Sequence, residues 1–283
     1  MTFNFKIIIS LSILFLCGCA QLSGLPQTLQ VQELQHKAYA GDLDSQYQLG
    51  MQYTINGKWN WDFTRGYKWF FSAAEQGHVD AHYMVGMSKL LGRGTDLDRE
   101  GAVHFFSFAA EKGHMRAQYQ AGNAYLNGAG IEKDASWGRQ WLEQAAWNGH
   151  QYAQFLLAAL FSGGVGGQTN NAEAWRWAKK ASQNGLERAD KALQNLEEKM
   201  SAEELANGKS LLKREARFEG ELHKVPRIRY IQTVLNQRGY DAGVEDGMEG
   251  LRTRSAVAKF VRLNNLPQNI QRSNLIDFLR KYP

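Results

Sequence analysis

The sequence predicts an all-α protein, in which a right-handed α-solenoid of helix-hairpin repeats is followed by a small three-helix domain. Three observations support this fold class. Residues of the same type recur every 36 positions over most of the chain. Apolar residues within each period have the spacing of helices that bury one face. The period is lost after Arg217, and a separate basic segment begins there.

Composition limits the classes of protein that the chain can form. Its 283 residues correspond to about two domains at roughly 150 residues each, and the 43% of hydrophobic residues can form a packed core. The two cysteines, Cys17 and Cys19, both lie near the N-terminus. The body of the protein therefore has no disulfide framework, no cysteine zinc site and no nucleophilic cysteine.

The first residues have the pattern of a secretion signal. Lys6 precedes an apolar run of eleven residues, 7–17, which is too short to cross a bilayer. The run ends in Leu-Cys-Gly-Cys, which resembles the lipobox of bacterial lipoproteins. The resemblance implies that residues 1–18 are a signal peptide and that Cys19 becomes an acylated, palmitate-type N-terminus.

The residues after Cys19 suggest a destination. The residue after Cys19 is Ala20 and not Asp, and this resembles the pattern of lipoproteins that are sorted to the outer membrane. Several acyl chains on one residue anchor a protein firmly. Residues 19–29 are short and polar, and we interpret them as a tether. The alternative is an ordinary signal peptide that is cleaved near Ala20.

The repeats are predicted to be pairs of helices that meet at glycine corners. In the second unit, helices are predicted over 80–91 and 99–112, and Gly113 ends the second of them. Glu33–Ala40 is predicted to be a half-unit cap, and Ser201–Glu204 is a capping box that begins a closing helix over 202–217. The corner glycines are Gly41, Gly77, Gly113, Gly149 and Gly185.

Positions that recur every 36 residues, which we call columns, also indicate a family. The segments AQYQAGNAYLNGAGIEKD (117–134) and AAEKG (109–113) resemble the Sel-one-like repeat, a relative of the tetratricopeptide repeat. The resemblance covers about residues 30–200, and with its caps the solenoid is expected to span 30–218. It implies a stacked solenoid that binds another protein.

Catalytic and metal-binding hypotheses have little support in the repeats. His78, His114 and His150 recur at the corners, but neighbouring helices lie about 8–10 Å apart, whereas zinc ligands lie about 2.1 Å from the metal. We therefore expect each histidine to pack on a neighbouring unit. The glycine-rich residues 163–167 lack the Lys-Ser/Thr of a phosphate loop, and we interpret them as a turn. No enzyme, cofactor or metal is predicted.

Three tryptophans are candidate partner-binding residues. Trp137 and Trp147 occupy columns that are otherwise polar or small, and Trp61 lies in a loop. Because polar columns face water, these side chains are expected to be exposed, and exposed Trp is typical of protein interfaces. The alternative is that they pack locally.

The C-terminal residues 225–283 form a separate segment, in which helices are predicted over 226–239, 251–264 and 272–282. Its distinctive residues are Gly239-Tyr240, Asp246-Gly247, Gly250, Thr253-Arg254, Ala256-Val257 and Leu266-Pro267. With these residues the segment resembles the three-helix peptidoglycan-binding domain that accompanies many cell-wall hydrolases. The family usually has a Gly-x-x-Asp-x-x-Thr run after the Leu-Pro, and this chain lacks it.

An anionic ligand is expected for this segment. Residues 222–283 contain eleven Lys/Arg and five Asp/Glu, so they carry the positive charge of the chain. A helix that begins near Leu251 presents free N–H groups, and arginine suits bidentate contacts with carboxylates. The alternative is that these residues only shape turns or face water. The candidate peptidoglycan-binding residues are Asp246, Gly247, Arg252, Thr253 and Arg254. No nucleic-acid motif is present.

The leading hypothesis is an outer-membrane lipoprotein on the periplasmic side. The lipid on Cys19 holds it to the membrane, the solenoid binds another envelope protein, and residues 225–283 contact peptidoglycan. The alternative is an immunity or inhibitor protein that neutralises a toxic effector or a wall-cleaving enzyme. A third class, an enzyme with a wall-targeting domain, needs a catalytic constellation that the sequence does not show.

Overall fold

The computed structural model describes residues 27–54, 62–215, 225–245 and 249–281. These residues form helices joined by short turns. The repeats and their caps contribute α1 (Gln27–Tyr39), α2 (Leu43–Thr54), α3 (Phe63–Glu75), α4 (Val79–Leu91), α5 (Arg99–Glu111), α6 (Met115–Asn127), α7 (Ala135–Trp147), α8 (Gln151–Gly163), α9 (Asn171–Gln183), α10 (Glu187–Glu197) and α11 (Ala202–Glu215). The C-terminal helices are α12 (Val225–Gln237), α13 (Leu251–Leu263) and α14 (Arg272–Lys281).

Four hairpins stack in chain order. They are the pairs α2/α3, α4/α5, α6/α7 and α8/α9, and the second helix of each pair packs on the first helix of the next. In the first three pairs the two helices approach closely, because a buried glycine on the first helix faces a large side chain on the second. At Gly86, for example, an added Cβ would lie 2.6 Å from Phe106 Cε1. The predicted solenoid of helix hairpins is confirmed.

The corner glycines turn the chain between units, as predicted. Gly77, Gly113 and Gly149 have φ values of 93°, 90° and 92°, which an L side chain rarely adopts. Nothing lies within 4 Å of a Cβ built at these glycines. Backbone conformation, and not lack of space, is therefore what requires glycine at the corners.

The corner histidines cap helices. His114 Nδ1 accepts a hydrogen bond from the Ala117 N–H at 3.0 Å, and its ring stacks on Tyr83 of the preceding unit with centroids 4.5 Å apart. His78 and His150 repeat the cap and the stacking. Packing on a neighbouring unit is confirmed, and the cap explains why histidine recurs there.

Buried glutamines add a polar ladder that the sequence analysis missed. Gln118 donates from Nε2 to the Ala110 carbonyl at 3.1 Å, and its Oε1 accepts from Asn148 at 2.9 Å. Gln46 and Gln154 donate to the equivalent carbonyl eight residues earlier. Each glutamine thus satisfies a backbone acceptor where two units meet.

The repeats end in the predicted closing helix. The Ser201 N–H donates to Glu204 Oε2 at 2.8 Å, and the Glu204 N–H donates to Ser201 Oγ at 3.2 Å. This is the reciprocal capping box expected from the sequence. α11 packs on α9, and the predicted end of the helix near Arg217 lies outside the described residues.

The C-terminal helices pack on the solenoid. α13 and α14 both contact α12, and α12 in turn contacts α7 of the third unit. One hydrophobic cluster includes Trp137 and Trp141 from α7 together with Tyr230, Leu235 and Leu279 from the C-terminal helices. The repeats and the C-terminal helices therefore share a continuous core.

Candidate functional site

Trp137 lies inside the protein, where the sequence analysis expected an exposed side chain. Only 8% of Trp137 is exposed. Its ring meets Tyr230 of α12 edge-to-face with centroids 4.8 Å apart, and the Arg280 guanidinium of α14 lies 4.4 Å from its centroid. Arg280 also donates to Tyr125 Oη at 2.7 Å. The predicted exposure is wrong because the chain's own C-terminal helices cover this tryptophan.

The other two candidate tryptophans differ from Trp137. Trp147 is half-buried, and its ring meets Trp177 edge-to-face at 4.8 Å. The cationic groups of Arg176 and Lys180 lie 4.8 and 4.6 Å from the Trp147 centroid. The expected open exposure of Trp147 is therefore also wrong. Trp61 lies outside the described residues.

Next to Trp137, α12 inserts a buried arginine into the solenoid. Arg229 is 2% exposed. Its Nη1 lies 2.8 Å from Glu143 Oε2, and its Nη2 donates to Glu173 Oε1 at 2.7 Å. Its Nε donates to the Glu245 carbonyl at 2.9 Å. One guanidinium thus joins α7, α9 and the segment after α12.

A second buried arginine makes the reciprocal contacts. Arg139 of α7 donates from Nη2 to Thr233 Oγ1 of α12 and to Glu245 Oε2, each at 3.1 Å. Gly167 makes room for it, because a Cβ there would lie 2.3 Å from the Arg139 guanidinium. The glycine-rich turn at 163–167 therefore accommodates this arginine, and it is a turn as predicted.

We call the α7 and α9 residues that α12 covers the docking surface; they are Trp137, Arg139, Glu143 and Glu173. With Arg176, Arg229 and Glu245 the buried network contains three arginines and three glutamates, so its formal charge is balanced. Arg176 forms a close ion pair with Glu173. Balanced buried charges are stable only together, because loss of one leaves another unpaired in a medium of low polarity.

The two central carboxyl groups respond differently to this environment. Burial raises the pKa of Glu143, and the nearby Arg229 and Arg139 only partly oppose it. At Glu173 burial also acts to raise the pKa, but Arg176 and Arg229 together outweigh it and hold the pKa below its usual value. Arg229 therefore favours the charged form of both glutamates, together with Arg139 at Glu143 and Arg176 at Glu173.

The predicted peptidoglycan-binding residues are not all placed alike. Arg252 and Arg254 are exposed on α13. Thr253 is 3% exposed, and its hydroxyl donates to the Ala242 carbonyl and accepts from Gln232. Thr253 is therefore structural, because its side chain faces the core of the C-terminal helices. Asp246 and Gly247 lie outside the described residues.

A concave surface lies on the exposed side of α13. We call it the cationic groove; its volume is about 680 Å³, and its floor includes Val257, Val261 and Ile270. Its basic residues are Arg254, Lys259, Arg262 and Arg272. The sequence analysis singled out only Arg254 among them. The signal for Lys259 and Arg262 was a helix, LRTRSAVAKFVRL, that contains basic but no acidic residues, whereas Arg272 begins α14.

Neither a membrane-spanning helix nor a metal cluster is found in the described part of the chain. None of its helices combines the length and the apolar character needed to cross a membrane. Across 27–54, 62–215, 225–245 and 249–281, no three His, Cys, Asp or Glu side chains are placed to share a metal ion.

Comparison with known families agrees with both predicted resemblances. Residues 43–78, 79–114, 116–150 and 151–186 match the Sel1 repeat. Residues 224–269 match the family described as "Putative peptidoglycan binding domain". No curated protein matches the chain.

Two solved structures are similar. A Sel1 repeat protein from Oxalobacter formigenes is 30% identical, with a TM-score of 0.53, over 58% of this chain and 66% of that one. The protein c5321, a protective antigen of uropathogenic Escherichia coli strains with an SLR fold, is 24% identical, with a TM-score of 0.59, over 84% of this chain and 50% of that one. The chain therefore spans less than two thirds of either protein.

Proposed function

Because this chain belongs to the Sel1 repeat family and also contains a peptidoglycan-binding-like segment, we propose that it is an outer-membrane lipoprotein of the periplasm that acts as a protein-binding scaffold. Cys19, outside the described residues, carries the lipid. Residues 225–283 contact peptidoglycan, and the solenoid binds another envelope protein. The role is that of an adaptor and not of a catalyst.

The observation that carries this proposal is the contact between α12 and the docking surface. Arg229 and Arg139 join the C-terminal helices to the third and fourth repeats through contacts that are buried from water. A wall-contacting segment and a protein-binding solenoid are thus held in one fixed arrangement. Such an arrangement suits a protein that positions a partner relative to the wall.

The face of the solenoid that carries the docking surface continues onto α3 and α5. Trp137 and Glu173 occupy one column of the repeat, which continues as Gly101 on α5 and Arg65 on α3. Arg65 is exposed, whereas Trp137 is covered. We therefore assign partner binding to the α3 and α5 part of this face, and not to Trp137.

Affinity capture from the native envelope tests the scaffold role. The full chain should retain one envelope protein, and Arg65→Glu together with Lys68→Glu should weaken its retention while helicity is unchanged. The matched control is Lys209→Glu, an exposed charge on α11, the helix that packs on α9 of the last repeat. Capture of a secreted effector or a wall-cleaving enzyme would support the inhibitor role instead, and turnover of peptidoglycan by the purified protein would refute the non-catalytic assignment.

Lipid attachment and location are tested separately. Cells that express the wild-type chain should incorporate labelled palmitate into it, and the protein should fractionate with the outer membrane. Cys19→Ser should remove both the label and the membrane association. A labelled Cys19→Ser variant, or a wild-type protein that stays soluble, would contradict the lipoprotein assignment.

A further inference from the structure

The cationic groove has positive charge that the described chain leaves without a counter-charge. α13 carries Arg252, Arg254, Lys259 and Arg262 and no carboxylate. Among the described residues, Arg272 is paired with Glu249, but no ion pair involves Arg254, Lys259 or Arg262. An anionic ligand in the groove would relieve the repulsion among these like charges.

The lining combines charge with apolar surface. Ile270 is half-buried and contributes apolar surface between the basic side chains, whereas Val257 and Val261 lie beneath the groove and are only 5% and 4% exposed. Guanidinium groups bind carboxylates in a bidentate way, with a fixed geometry. A neutral sugar chain would use none of this charge, and a flat lipid surface would not reach a concave floor. The lining fits a short chain that carries several carboxylates and small alkyl groups.

We propose that the cationic groove binds the carboxylates of peptidoglycan stem peptides. This inference rests on the proposed contact with the wall and adds where that contact lies and which part of the polymer it recognises. Arg254 and Arg262 bind carboxylates, and Lys259 and Arg272 contribute positive charge beside them. Ile270 contacts an alkyl side chain of the peptide.

α13 also provides a matched control. The Arg252 side chain is 72% exposed, and its Nε lies 3.8 Å from Asp241 Oδ2. Arg252 was grouped with Arg254 as a candidate ligand-binding residue from the sequence, but it is not part of the groove lining, so we assign it no contact with the ligand. Replacing it removes the same charge from the same helix but leaves the groove intact.

The test is co-sedimentation of the chain from residue 20 onward with purified wall sacculi. We expect the double variant Arg254→Ala with Arg262→Ala to bind sacculi at least about tenfold more weakly than the wild type, because two charge-assisted contacts are lost. Arg252→Ala should bind like the wild type. Higher salt should weaken wild-type binding, and Arg254→Lys with Arg262→Lys should retain part of it. Circular dichroism checks that every variant is folded.

Two further substrates identify the ligand. Sacculi from which an amidase has removed the stem peptides should lose wild-type binding, and vesicles rich in anionic phospholipid should not bind. If the stripped glycan binds as well as whole sacculi, or if vesicles bind with the same dependence on Arg254 and Arg262, the stem-peptide assignment is wrong. If the wild type binds sacculi and the double variant binds equally well, only the groove is wrong. If the wild type does not bind sacculi, the proposed wall contact fails as well.

Discussion

Replacing Arg229 by alanine should separate the C-terminal helices from the solenoid. Arg229 is buried and is the cation that Glu143 and Glu173 share. Its loss leaves these carboxylates with Arg139 and Arg176 as their remaining cationic neighbours. Breaking a buried ion pair on one side costs about 3–5 kcal/mol, because a charge is then left without compensation.

The magnitude can be measured by urea unfolding followed by circular dichroism. With an m value of about 3 kcal/mol/M, this cost lowers the midpoint by about 1 M or more if the chain unfolds in one step. The matched control is Arg227→Ala, because Arg227 is an exposed arginine on the same helix. A substitution of that kind is expected to change stability by less than about 0.5 kcal/mol.

A second variant tests the cause of the loss. Arg229→Met with Glu143→Gln removes one positive and one negative charge together, while Glu173 keeps its pairing with Arg176. It should recover much of the stability lost in Arg229→Ala. Limited proteolysis between residues 215 and 225 should be fastest in Arg229→Ala. The reasoning is refuted if Arg229→Ala and Arg227→Ala unfold at the same urea concentration.

Three further outcomes are expected. Gly86→Ala should destabilise by about 1–3 kcal/mol in thermal or urea unfolding, because its Cβ would lie 2.6 Å from Phe106; an unchanged midpoint would contradict the close approach of α4 and α5. Burial lowers the pKa of both His114 and His150, so the unfolded chain takes up protons more readily and stability should fall as the pH drops below about 6.5. Replacing both by Asn, which also caps helices, should flatten that pH dependence of the melting temperature, and an unaltered slope would exclude these groups as its source. Trp137→Ala should cost about 3–5 kcal/mol of stability in urea, whereas a fully stable variant would show that the C-terminal helices do not depend on it.

The solenoid could be predicted from the sequence because its determinants are local and repeated. A corner such as Gly113 needs a positive φ and is glycine in every unit, and the position of Gly86 needs close helix approach and is glycine in three units and alanine in the fourth. The predicted bounds of the second unit, 80–91 and 99–112, differ from α4 and α5 by one residue at one end each.

The docking of α12 could not be predicted in the same way, because it joins residues 56 to 106 positions apart that do not repeat. The sequence nevertheless contained a signal. Arg139 occupies a column that holds Tyr67, Val103 and Trp175 elsewhere, and a charge in an apolar column indicates a buried partner. Trp137 was singled out by the same logic. The sequence thus indicated a binding surface around Trp137, but the segment that covers this surface is the chain's own C-terminal helices.

The paired contacts of Arg229 also fix the register of the two halves. An α-helix advances about 5.4 Å per turn, so sliding α12 along α7 by one turn would carry the guanidinium away from both Glu143 and Glu173. Apolar side chains alone would tolerate small slippage, whereas oriented charges do not. The buried ion pairs therefore permit a single register of α12 on the solenoid. A ligand of the C-terminal helices and a ligand of the repeats would be held at a constant distance from each other.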